Sequence, residues 1–125
     1  MDQTQAQGLA AAHIGDILPI VAIRVAGAVR LLYNPRVASV AQEQVVGTEG
    51  SVSMPGIEVE VSRPIWADIS FETDAGAIAS ERLEGWPARI ALHEIDQVNG
   101  VFFLERISRL KREAALRRWR KLSRI

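Results

Sequence analysis

A chain of 125 residues is long enough for one domain with one core, which buries about two-thirds of the unfolded surface, and it needs no second domain. It has no cysteine, which excludes disulfides, thiolate nucleophiles and Cys metal ligands. The formal charge is zero, yet residues 1–105 carry 14 acidic and 6 basic side chains, whereas residues 106–125 carry 1 acidic and 9 basic; such segregation predicts a basic tail with its own partner.

The first residues, "MDQTQAQ", are polar and lead into "GLAAAHIG", a run of small residues that reads as a loop or a close approach of backbone. The apolar stretch "ILPIVAIRVAG" is broken by Pro19 and Arg24 and is too short to span a bilayer. No basic-then-apolar leader precedes it, so the default expectation is a soluble cytoplasmic protein. β-Branched segments follow, "PIVAIRVAG", "AVRLLYNP" and "RVASVAQEQVV", with Gly27 and the Asn34-Pro35 pair expected at turns. "GTEGSVSMPG" is expected to be a loop. "IEVEVSRP" and "IWADISFE" alternate at period two as half-buried strands do, and "AIASERLEG" returns beyond the "TDAG" turn as a hairpin partner.

At "WPARIALHEIDQVNG" the period changes from two to nearly four. Pro87 suits a first helical turn, Ile90, Ala91, Glu94, Ile95 and Val98 recur at helical spacing, and Gly100 ends the helix. After the short apolar "VFFLERI", Ser108 offers an N-cap to a last helix on which Ala115, Trp119 and Leu122 share a face. Strands come first and helices last, so the class is α+β, in a single domain 1–125 whose segment 106–125 is a basic C-terminal helix.

"HEIDQ" nearly spells H-E-x-x-H, which sets two imidazoles one turn apart beside a carboxylate base; Gln97 stands where the second His belongs. Alone, this His-Glu pair reads as an ordinary hydrogen-bonded pair on an amphipathic helix. Two further stretches, "QGLAAAHIG" and "EGSVSMPG", precede it in order. Together the three resemble the signature motifs of peptide deformylases, the hydrolases that remove formate from the N-terminal formyl-methionine of new chains. "YNP", "SRP" and the "DAG" turn agree as well, and the resemblance runs from Gln7 onward.

The resemblance implies antiparallel sheets packed around a central helix that carries the His-Glu pair, and a cleft that takes an N-formylmethionyl peptide. The family's motifs are G-x-G-L-A-A-x-Q, E-G-C-x-S and H-E-x-D-H, whose Cys and two His bind ferrous iron, or zinc in its place. Here those ligand positions hold Ser51, His93 and Gln97. The resemblance implies that Glu94 keeps the role of base, that His13 replaces the oxyanion Gln, that the Val52 N–H shares that task, and that Gly8 runs beside the substrate. Ala6 replaces the first Gly of the first motif.

An alcohol does not ionise near neutral pH, and a carboxamide offers only a neutral oxygen suited to hard ions. The expectation is therefore no tightly held Fe2+ or Zn2+, with weak or absent hydrolysis, and with Ser51, Gln97 and Glu94 hydrogen-bonded among themselves. The alternatives are an active formamide hydrolase using a rebuilt ligand set of His13, His93 and Glu94, and a non-catalytic ribosome binder. The family's last helix docks on the ribosome, so the resemblance gives the basic tail an RNA-facing role. Family members carry several dozen residues ahead of the first motif, including a long helix, where this sequence shows "MDQTQA"; an open apolar face and a homodimer are expected in consequence.

Overall fold

The computed structural model describes residues 8–10, 20–51 and 53–123, the first three by their backbone alone. The described strands are β1 (Gly8–Ala10), β2 (Ile20–Val25), β3 (Ala28–Val40), β4 (Gln44–Gly50), β5 (Glu58–Pro64), β6 (Trp66–Glu72) and β7 (Ile78–Glu84). Helix α1 (Gly85–Val98), a 3-10 turn (Phe103–Arg106) and helix α2 (Arg109–Ser123) follow. The α+β class is as expected, with strands before helices.

Five strands form one antiparallel sheet in the order β1-β2-β3-β6-β7, while β4 and β5 pair as a separate ribbon. The β2–β3 hairpin closes through Ala26 and Gly27, both at positive φ, the geometry whose twist matches the flanking strands. Thr73 closes β6–β7: its hydroxyl and carbonyl accept from the N–H groups of Ala77 and Gly76.

Two of the expected breaks lie inside strands. Asn34-Pro35 is not a turn: β3 runs through it to Val40, and the register to β6 shifts between Tyr33 and Arg36, with Asn34 at φ 49°. The pair marks a bulge, which, like a turn, accepts a left-handed residue and tolerates a proline that cannot donate, but leaves the strand running on. The expected loop from Gly47 likewise begins only at Ser51, because Gly47–Gly50 pair with Val61–Glu58.

Helix α1 lies across the large sheet. Val21, Ile23, Leu32, Ala67, Ile69, Phe71 and Leu83 meet Ala88, Ile90, Ala91, Leu92 and Ile95 in the main core. Each Val, Leu, Ile or Phe among them contributes roughly 1.5–3 kcal/mol when fully buried. Every residue from Ala88 to Ile95 is buried, so α1 is enclosed on all sides rather than on one stripe. A second core joins Met54, Ile57 and Val61 to Phe103, Leu104 and Ala115 and seats α2 on the ribbon. Trp119 packs there too, and Leu122 lies against Gly56. His93 stands where the two cores meet, its ring 5.7 Å from that of Phe103.

Candidate functional site

Arg89, His93 and Gln97 are spaced four residues apart on α1 and so form one stripe along its face. The stripe meets the end of β4, where Glu49 is buried. Arg63 of β5 donates to Glu49 through Nε and Nη2, both at 2.9 Å, and Arg89 Nη1 donates at 2.6 Å. The third partner is His93, whose Nδ1 lies 2.8 Å from Glu49 Oε1. Burial pushes the Glu49 carboxyl up, but the hydrogen bonds from Arg63 and His93 and the charge on Arg63 outweigh it and hold the carboxyl at about 2.

Arg63 also donates to Asp96 at 2.6 Å, and Asp96 in turn takes two hydrogen bonds from Arg106. A chain of alternating charge thus runs from Glu49 through Arg63 and Asp96 to Arg106 and joins β4, β5, α1 and the 3-10 turn. Arg89 also donates to the carbonyls of Val61 and Val45, at 2.9 and 2.6 Å, and to that of Gly47 at 3.4 Å. Its guanidinium lies over Gly47, where a Cβ would stand 2.8 Å from Cζ. Two buried guanidinium groups therefore face two carboxylates, so neither sign is left uncompensated.

The other ring nitrogen of His93 settles its tautomer. Gln97 Nε2 lies 3.0 Å from His93 Nε2, and an amide nitrogen only donates, so His93 Nε2 accepts with its lone pair and Nδ1–H donates to Glu49. Glu94 is buried, with Oε1 3.8 Å from the same nitrogen. Ser51 follows Glu49 by two residues, and its hydroxyl pairs with that of Ser53 at 2.9 Å. The expected mutual bonding of Ser51, Gln97 and Glu94 is thus replaced by two separate pairs, Ser51 with Ser53 and Gln97 with His93. Gly8 lies in β1 opposite Ile23, in a strand that adjoins α1. His13 and Val52 lie outside the described residues.

Set against a transition ion, these donors do not fit. A tetrahedral Zn2+ or an open Fe2+ site takes imidazole nitrogen at about 2.0–2.1 Å and gains most from anionic soft partners. Here the imidazole lone pair already faces an N–H, and Ser51 and Gln97 are neutral oxygen donors. Among the described residues, no three His, Cys, Asp or Glu side chains gather to hold a metal.

Glu49, Arg63, Arg89 and Asp96 are the residues that reading the sequence missed. Arg89 carried a usable signal, since it stands one turn before His93 on the same face. Glu49 did as well, as the first residue of the second motif.

The comparisons agree with this architecture. The family model described as polypeptide deformylase matches residues 1–113. A protein named peptide deformylase-like from Rhizobium meliloti (strain 1021) is 42% identical over 119 residues, covering 94% of this chain and 69% of its own. A second of that name, from Agrobacterium fabrum, is 40% identical over 91% of this chain and 70% of its own. The crystal structure of Arabidopsis thaliana peptide deformylase 1B in complex with an inhibitor superimposes with a TM-score of 0.89 at 30% identity, over 96% of this chain and 69% of that one. With the motifs in order, the fold matched and the family model spanning most of its length, the chain belongs to the polypeptide deformylase family.

Proposed function

We propose that this chain is a single deformylase-like domain whose hydrolysis of N-formylmethionyl peptides is weak or absent, because it lacks a tightly held ion. The contact between Gln97 and His93 Nε2 carries this reading. A deformylase's metal would supply the acidity that turns bound water into a hydroxide nucleophile near neutral pH. On this reading Glu94, the Val52 N–H, His13 and Gly8 keep the family's places beside the substrate, but the base has no activated water. The test is release of formate from a formyl-Met tripeptide by protein purified without air and supplied with Fe2+. Turnover at a rate typical of enzymes, on the order of 1 per second or more, would overturn the reading. The alternative of an active His13, His93 and Glu94 ligand set requires Gln97 to leave Nε2, and turnover abolished by His13→Gln would establish it.

A ribosome-facing role for α2 is the second reading, and the exposed face of that helix supports it. Ala115, Leu116 and Trp119 pack against the second core, which leaves Lys111, Arg117, Arg118 and Lys121 turned outward. Phosphate contacts of this kind weaken steeply with salt. Replacing Arg117, Arg118 and Lys121 with Gln is expected to abolish co-sedimentation with ribosomes at low salt, and unchanged co-sedimentation rejects the role. A cytoplasmic location and a homodimer complete the proposal. No helix among the described residues is long and apolar enough to cross a membrane. Val29 and Leu31 of β3 are exposed apolar residues that a second copy would cover, and a monomer mass by sedimentation equilibrium removes the dimer.

A further inference from the structure

A buried imidazole has two ring nitrogens to satisfy. In a metal centre a carboxylate or carbonyl takes the N–H on one side and the ion takes the lone pair on the other. Glu49 fills the first of these roles for His93, at 2.8 Å, and is itself pinned by Arg63 and Arg89. The second role is filled from within α1, by the Gln97 amide one turn further on.

We propose that Gln97 substitutes for the ion: its N–H closes the His93 lone pair, so that Glu49, His93 and Gln97 form a centre complete in hydrogen bonds and stable with no cation. The inference rests on the reading that this chain holds no metal, and goes beyond it by assigning the cause to one side chain. Removal of the ion from a metal site would leave a buried lone pair facing nothing, a loss the structure around it would bear. In this chain the amide relieves that loss, and the same contact bars an incoming ion, which must first displace Gln97. The surrounding frame is unchanged by this device, because Glu49 already holds the imidazole in the tautomer that a metal-ligating histidine needs.

The test is imidazole 15N NMR on the full chain, with His13→Gln used to assign the two histidines, combined with retention of Zn2+ after dialysis. The proposal expects His93 as the neutral Nδ1–H tautomer, unmoved by excess ZnCl2. In Gln97→Met, which keeps length but removes the donor, the Nε2 resonance should shift and the melting temperature should fall. In Ser51→Cys/Gln97→His, Zn2+ should survive dialysis that strips it from the parent. An Nε2–H tautomer in the parent, or a Gln97→Met protein with the parent's His93 resonance, overturns the proposal even if no metal binds. Zn2+ retained by the parent overturns the underlying reading instead. If the double variant does not fold, the parent spectrum and Gln97→Met still decide.

Discussion

At the scale of single residues, Glu49 organises the centre, because one carboxylate answers two guanidinium groups and an imidazole. Its carboxyl sits at about 2 in the fold against an ordinary 4.5. The stabilisation from this difference is therefore complete above pH 4.5 and is lost as pH falls towards 2, about 3 kcal/mol in all. Urea unfolding followed between those pH values is expected to show that loss, and Glu49→Gln is expected to be less stable at neutral pH and to flatten the slope. An equal slope in the variant would remove Glu49 from this role. Gly47 owes its identity to the same network. A methyl there meets a guanidinium pinned by hydrogen bonds to Glu49 and to backbone carbonyls, so Gly47→Ala should cost about 1–3 kcal/mol in the same assay. Gly47 reads in the sequence as a loop glycine, and the second motif marks Glu49 without naming what it binds. Their partners lie 14 to 44 positions away, beyond the reach of any local pattern.

At the scale of elements, features made by neighbouring residues were legible and those made by distant pairing were not. Helix α1 carries Pro87 in its first turn and ends at Val98, two residues ahead of Gly100, whose φ is 81°. There the Gly100 N–H donates to Gln97 O and the Val101 N–H to Asp96 O, the closure that a left-handed residue makes. A Cβ at that φ is strained, so Gly100→Ala is expected to lower stability by about 1 kcal/mol and to loosen the turn that carries Gln97. Thermal unfolding with no change would contradict this account of the helix end. Ser108 caps α2, its hydroxyl accepting from the Lys111 N–H at 3.3 Å, and Ser108→Ala should cost about 1 kcal/mol by the same measurement. Asn34-Pro35 shows the limit of such signals. The residues that make a turn also make a bulge, and only the pairing of β3 with β6, some 35 positions apart, tells them apart.

At the scale of the whole molecule, an acidic body carries a basic helix, and two cores meet at one histidine. The three motifs identified the fold because they frame the central helix. The identity of the ligand positions was legible as well, since Ser51, His93 and Gln97 stand in the motifs themselves. What those residues do to one another was not, because it depends on which side chain reaches the imidazole lone pair. In the proposed centre that lone pair is closed by Gln97 rather than left for an ion. Its most direct test is the metal content of protein purified without air or chelators and dialysed against metal-free buffer. Iron, zinc and nickel are expected far below one per chain, and stoichiometric retention of any of them would contradict a centre closed by Gln97.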